Sequence, residues 1–315
     1  MNTATASIVP PAPRAPGGVF LVLAMVTVGS TVVASRIIAA GLPPFSAAAL
    51  RLAIALPIFL ALMRWRGQRL PRPGLHDGML LALQALCGSV GYAVLLVAGL
   101  RSTSAADAGV ITGTLPAVGA LVGALVLRER IGGRLLASIV LACVGVAAVV
   151  AVPGPAASRH DLAGDALVLA AVGCEALFLL LNKRLRTPVA PLAQSTLMCG
   201  LGLALTLVPA VFEHAWTQRA DAAALLGVVY YAVVPTVGGY LLWYAGAARV
   251  SAGVASLYTA VLPVSALALA ALVLREAIGL GQLVGAGCVL AAIAVTAAKG
   301  AGRRTGVGER DRPRG

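Results

Sequence analysis

One acidic side chain stands in the middle of a long apolar run. It is Glu175, in the stretch AAVGCEALFLLL. Placing an acid at the centre of a membrane-crossing helix costs on the order of 2.5–3.5 kcal/mol on insertion scales, so such a residue faces a polar cavity or a partner. In a cavity it is a candidate for exchanging a proton or recognising a cation. The structural alternative is a neutral glutamic acid hydrogen-bonded between helices. A second polar pattern is written twice. Thr112 lies four residues before Pro116, and Thr259 lies four residues before Pro263. Proline has no N–H, so it releases the carbonyl four residues earlier and kinks the helix. Each break would present a free carbonyl and a hydroxyl together at mid-membrane depth, where broken helices line cavities. A plain kink, with the hydroxyl bonded inside its own helix, is the competing account.

The remaining deep polar side chains with candidate binding roles are Gln84, Tyr92, Tyr231 and Tyr240. Gln84 and Tyr231 hold equivalent places in the repeat described below, and Tyr92 pairs with Tyr240 if one residue is allowed for a gap. Trp243 and Tyr244 lie near a span end, where anchoring at the membrane interface competes with binding.

Other chemistries have little to stand on. The five cysteines are scattered singly through apolar runs and the three histidines fall in polar connectors, so no metal site, disulfide framework or cofactor is expected. An enzyme would need several reactive groups converging at one depth. Here there is one deep acid and no deep histidine. A structural or chaperone-like subunit would need no polar cavity, which Glu175 and the twinned Thr–Pro breaks argue against.

Composition sets the solvent. Hydrophobic residues make up 60% of the 315 positions and charged ones 11%, against roughly 25% charged in soluble domains. The net charge of +13 meets few aromatics and no nucleic-acid-binding module. Basic cytoplasmic loops of a bilayer protein account for it.

Ten runs are long enough to span, at roughly 18–40, 46–65, 78–100, 105–127, 133–152, 164–183, 189–212, 222–247, 251–274 and 278–298. The hexapeptide ALVLRE closes two of them, at residues 124–129 and again at 271–276, an offset of 147. The flanking LPAVGALVG and LPVSALALA keep the same offset, which marks an internal repeat. Five spans per copy is an odd number, so the copies would face opposite ways, the arrangement of an inverted repeat. The expected organisation is a cytoplasmic disordered tail at 1–17, a first five-helix half at 18–152, a linker at 153–163, a second half at 164–298 and a basic cytoplasmic tail at 299–315.

Charge orients the bundle. With both termini cytoplasmic, 18 of the 24 basic residues fall on the inner side, as the positive-inside rule requires. Arg36 and Arg51, about one turn inside their spans, are expected to snorkel to the outer interface. Asp77, Asp165 and Asp221 are expected to cap the helices they begin. Gly109-x-x-x-Gly113 and Gly119-x-x-x-Gly123 are expected to let helices pack closely.

The paired halves, the ALVLRE-x-IG pattern and the segments from Val28 to Arg51 and from Tyr240 to Gly279 resemble the EamA-type branch of the drug/metabolite transporter superfamily. The resemblance covers about residues 18–298. It implies an all-helical, ten-span protein of the cell membrane that moves a small metabolite or drug-like solute by alternating access, outward more often than inward. Proton exchange at Glu175 is then the coupling candidate. Such proteins often carry a tryptophan in the middle of the first and sixth spans. Val28 and Glu175 stand there instead, so an aromatic contact made at that place by relatives is missing. Substrate identity and oligomeric state are not legible.

Overall fold

The computed structural model describes residues 17–127, 132–152, 161–215, 221–250, 255 and 258–302. The described residues form helices and no strands. The helices are α1 (Gly17–Gly41), α2 (Pro44–Trp65), α3 (Leu75–Gly99), α4 (Ala105–Gly113), α5 (Leu115–Leu127), α6 (Gly133–Ala151), α7 (Leu162–Asn182), α8 (Pro191–Phe212), α9 (Ala222–Ala247), α10 (Val261–Val273) and α11 (Leu280–Gly302).

Six of these, α1, α2, α3, α7, α8 and α9, are long and apolar enough to cross a membrane, and α4 with α5 makes a seventh if the bent pair is one span. The apolar parts of α6, α10 and α11 are shorter. Large apolar side chains such as Val208, Phe212, Leu226 and Leu272 face outward. A water-soluble surface does not carry so many, but a lipid-facing one does.

Local sequence explains the breaks. Prolines open α2 and α8 at their first helical position, where the missing N–H would be unpaired in any case. Gly67 follows α2 with φ +62, a left-handed turn that glycine makes without strain. Between α4 and α5 the axis bends by 47°. Pro116 is the second residue of α5, and Thr114 sits at the break. Within α3 and α9 the backbone widens into π-helical turns, Ala85–Gly91 and Ala232–Gly238. These two turns stand at the same places in the two copies, 147 residues apart.

The bundle has two unlike ends. At one end Asp77 accepts from the backbone N–H groups of Arg186 and Thr187, at 3.2 and 3.1 Å, and from the Thr187 hydroxyl. Arg64, Arg66, Arg69, Arg72, Lys183, Arg184, Arg186 and Arg249 gather at this basic end. The far end carries Asp107, Asp161, Asp165, Glu213, Asp221 and Glu276, six of the eight described carboxylates. There Glu213 accepts from the N–H groups of Phe45 and Ser46 at 3.0 and 2.7 Å, and Glu276 from those of Ala105 and Ala106 at 3.1 and 2.9 Å. Each carboxylate belongs to one copy and closes the start of a helix in the other, where free N–H groups and the helix dipole favour an anion. Arg36 donates to the carbonyls of Leu100 and Thr103, and Arg101 to that of Leu42.

Three expectations change. Arg51 does not reach the outer interface: it is 9% exposed and held inside the bundle. Asp77 bonds the segment before α8 instead of its own helix, and Asp165 accepts from the Thr103 hydroxyl. Asp221 does cap α9, through the N–H of Ala223. Of the glycine pairs, Gly109 and Gly113 pack against Ala266, Pro263 and Val289, while nothing lies within 4 Å of a Cβ placed on Gly119 or Gly123. Arg128 and Glu129 of the first hexapeptide, linker residues 153–160, residues 251–254, and the tails at 1–16 and 303–315 lie outside the described residues.

Candidate functional site

A cavity of about 490 Å³ lies between the halves. Its walls come from α1, α2, α3, α4, α5, α7, α8, α9, the first turn of α10 and Thr259 just before it. Arg51, Ser89, Thr112 and Thr236 line its mid-depth part, and Phe59, Ser195, Tyr240, Trp243 and Tyr244 line the part toward the basic end. None of its lining residues belongs to the cluster of Glu213, Glu276, Arg36 and Arg101 that ties the far end together. The cavity thus extends from mid-bundle toward the basic end and stops short of the other.

Its walls follow the repeat. Val28 and Glu175, Arg51 and Met198, Leu52 and Cys199, Gly88 and Pro235, Ser89 and Thr236, Thr112 and Thr259, and Leu115 and Leu262 all line it, and each pair is 147 residues apart. The equivalent positions of the two copies face one another across one space. Two pairs break the match in charge: Glu175 has Val28 as its equivalent, and Arg51 has Met198.

The expected site residues divide into a lining set and a supporting set. Glu175, Thr112, Thr259, Tyr240 and Pro116 line the cavity. Gln84, Tyr92, Tyr231 and Pro263 do not. Gln84 is fully buried, its Oε1 accepting from the Gln194 amide at 3.1 Å. Tyr92 packs against the main apolar core. Pro263 sits against Gly113, where a Cβ would come within 2.8 Å of its ring. Tyr231 is buried behind the wall, and the Arg51 guanidinium lies 4.8 Å from its ring centroid, a cation–π contact.

The threonines behave as local bonders. The Thr112 hydroxyl donates to the carbonyl of Gly109 at 3.1 Å and that of Thr114 to Ile111 at 2.6 Å, both within α4 or its end. Pro116 cannot donate to the Thr112 carbonyl. At the basic end of the cavity Tyr240 meets Phe59 edge-on, centroids 5.4 Å apart, and Tyr244 at 4.6 Å. Trp243 and Tyr244 both line the space.

Sequence reasoning missed two features. Arg51 was placed at the interface because it lies one turn from a helix start. Its N–H at Nη2 donates to the Ser89 carbonyl at 2.7 Å, which draws it inward. The π-turns were missed as well, although glycines in GSVGY and a proline in VVPTVGGY mark them in mid-span. A π-turn widens a helix and is frequent at functional sites. Here the two turns carry Gly88, Ser89, Pro235 and Thr236 to the cavity wall. No cluster of three or more metal-ligating side chains occurs among the described residues.

The EamA-like transporter family matches the chain twice, over residues 15–151 and 162–298. The chain belongs to that family. It is a multi-pass membrane transporter. Its sequence is 33% identical over 274 residues to the uncharacterized transporter YetK of Bacillus subtilis, covering 86% of this chain and 83% of that one. An uncharacterized transporter of Archaeoglobus fulgidus is 27% identical over 246 residues, 78% of this chain and 86% of that protein. A solved crystal structure that is 20% identical superimposes with a TM-score of 0.61, covering 92% of this chain and 98% of that one, a likeness of fold.

Proposed function

We propose that this transporter exports a small metabolite or drug-like solute from the cytoplasm by alternating access, with proton exchange at Glu175 coupling the cycle. In this reading the chain makes ten spans, two inverted five-helix halves at 18–152 and 164–298 joined by 153–163, with both termini cytoplasmic in the cell membrane. Glu175, Thr259 and Tyr240 meet the solute, Thr112 lines the path with its hydroxyl kept by its own helix, and Gln84, Tyr92 and Tyr231 support the walls they stand behind. The prolines Pro116 and Pro263 break the helices that must move.

The observation that carries the reading is the position of the cavity. Among the described residues it holds the one mid-span carboxylate, is lined in part by equivalent positions of the two copies, and extends toward the basic end and not the far one. The positive-inside rule makes the basic end cytoplasmic. A cavity that reaches the cytoplasmic side and is sealed on the other is the state in which an exporter loads. Closing the basic end and opening the far end would release the solute outside and expose Glu175 to external protons.

The test compares small molecules in spent medium from cells expressing wild type, Glu175→Gln or no transporter, at matched protein levels. Export coupled at Glu175 predicts a compound enriched by the wild type and lost with Glu175→Gln. Equal enrichment by both proteins removes Glu175 from the coupling and keeps transport. Compounds depleted by the wild type reverse the direction.

A further inference from the structure

Resting on the transport reading, we infer that Arg51 is a specificity-determining residue that binds an anionic group of the solute, so that the cargo class is a small organic anion with an apolar body.

Three observations converge on Arg51. It is a charged side chain that is nine-tenths buried, and it is among the residues that line the cavity. A buried charge is stable only when paired or fully hydrogen-bonded. Yet among the described residues no carboxylate lies within 4 Å of it, and its Nε has no hydrogen-bond partner. The guanidinium is also held in place: Nη2 donates to the Ser89 carbonyl at 2.7 Å, and the plane rests 4.8 Å from the Tyr231 ring centroid. Carbonyl and ring fix its direction, and the Glu175 carboxyl of the same cavity acts on it only from beyond ion-pair distance. Nε is walled off from the cavity, which leaves Nη1 and the second N–H of Nη2 to bind a planar carboxylate or a phosphate end-on through two parallel N–H groups.

Position supports the same conclusion. The equivalent residue in the other copy is Met198, so only one wall of the cavity offers this cation. The rest of the lining is mostly apolar or aromatic, including Leu52, Phe59 and Trp243. An anion docked on Arg51 would lay its apolar body along that surface toward the basic end.

The test uses the full chain in lipid nanodiscs and four matched probes: benzoate, phenyl phosphate, benzamide and benzylammonium. Binding is read by calorimetry. A charge-assisted hydrogen bond in such a site predicts that benzoate or phenyl phosphate binds at least about tenfold tighter than benzamide. Arg51→Gln removes that preference, read as the ratio of anion affinity to benzamide affinity within the same variant. Arg51→Lys keeps the charge but loses the fork and the stack on Tyr231, so the preference shrinks and does not vanish. If Arg51→Gln does not fold, the Lys variant carries the test. Benzamide or benzylammonium binding as well as both anions, no probe binding up to millimolar concentration, or an anion preference unchanged in the available variant would each overturn the inference. Export is not read in this assay. An anion preference without measurable export fails the transport reading alone, and export of a neutral or cationic solute without the preference fails this inference alone.

Discussion

Glu175 and Arg51 are the charged residues of the cavity lining, and neither has a charged equivalent in the other copy. Their chemistry should therefore be separable from the fold. Glu175→Gln keeps size and hydrogen bonding and removes the charge. It should leave expression and thermal stability near wild type and flatten the dependence of solute efflux on an imposed proton gradient in proteoliposomes. Retention of the full gradient dependence would exclude proton exchange at this carboxyl. Thr112 makes a different prediction. Its hydroxyl is already engaged with the Gly109 carbonyl of its own helix, a bond with a net contribution of about 0.5–1.5 kcal/mol. Thr112→Val should therefore lower stability slightly and leave the apparent affinity for solute unchanged. A large rise in KM with unaltered folding would show that the hydroxyl turns to the solute during transport. Glu175 was legible because a lone carboxylate in an apolar run has few outlets. Arg51 was not, because a side chain six bonds long can point to either end of its helix, and sequence does not say that Ser89 offers a carbonyl inside.

At the scale of the helix, the breaks do the positioning. The 47° bend between α4 and α5 and the two π-turns bring backbone and small side chains to the cavity wall. The twinned Thr–Pro pattern announced the first kind of break, since a proline cannot continue the ladder of N–H bonds. The π-turns gave only a weak signal, because glycine and proline within an apolar span are compatible with many local geometries. Pro116→Ala tests the bend. It restores a donor for the Thr112 carbonyl and should raise thermal stability while slowing turnover several-fold, as expected when a helix is straightened across a moving site. Unchanged turnover together with higher stability would mean that the bend is not needed for the cycle. The periodicity of apolar runs also located most helices to within a few residues, α1 being expected at 18–40 and found at Gly17–Gly41. It could not show that Asp77 and Asp165 bond across to other segments, since those partners are distant in sequence.

Across the whole molecule, the far end is held by carboxylates of one copy set against helix starts of the other. Each such cap is worth about 0.5–2 kcal/mol. Neutralising one should favour the conformation in which the far end is open. In a cysteine-free background carrying Ser89→Cys, Glu276→Gln is expected to increase labelling by a membrane-impermeant thiol reagent added from outside, by roughly five- to thirtyfold if about 1–2 kcal/mol is lost. Glu213→Gln should act in the same direction. Labelling that stays at the wild-type level in both variants would show that these contacts hold helices together without governing access. The six far-end carboxylates are thus the structural counterpart of the basic loops, a division that net charge alone concealed.

A cavity lined in part by equivalent positions of two copies has a consequence for what passes through it. If every lining position were matched, the walls would offer identical groups to both ends of a cargo, and a molecule could enter in either of two poses of equal energy. Arg51 without a counterpart at Met198, Glu175 without one at Val28, and aromatics such as Tyr240 and Trp243 whose equivalents Ala93 and Leu96 do not line the cavity remove that ambiguity. The protein thus keeps a symmetric frame for motion while its cargo has a head and a tail.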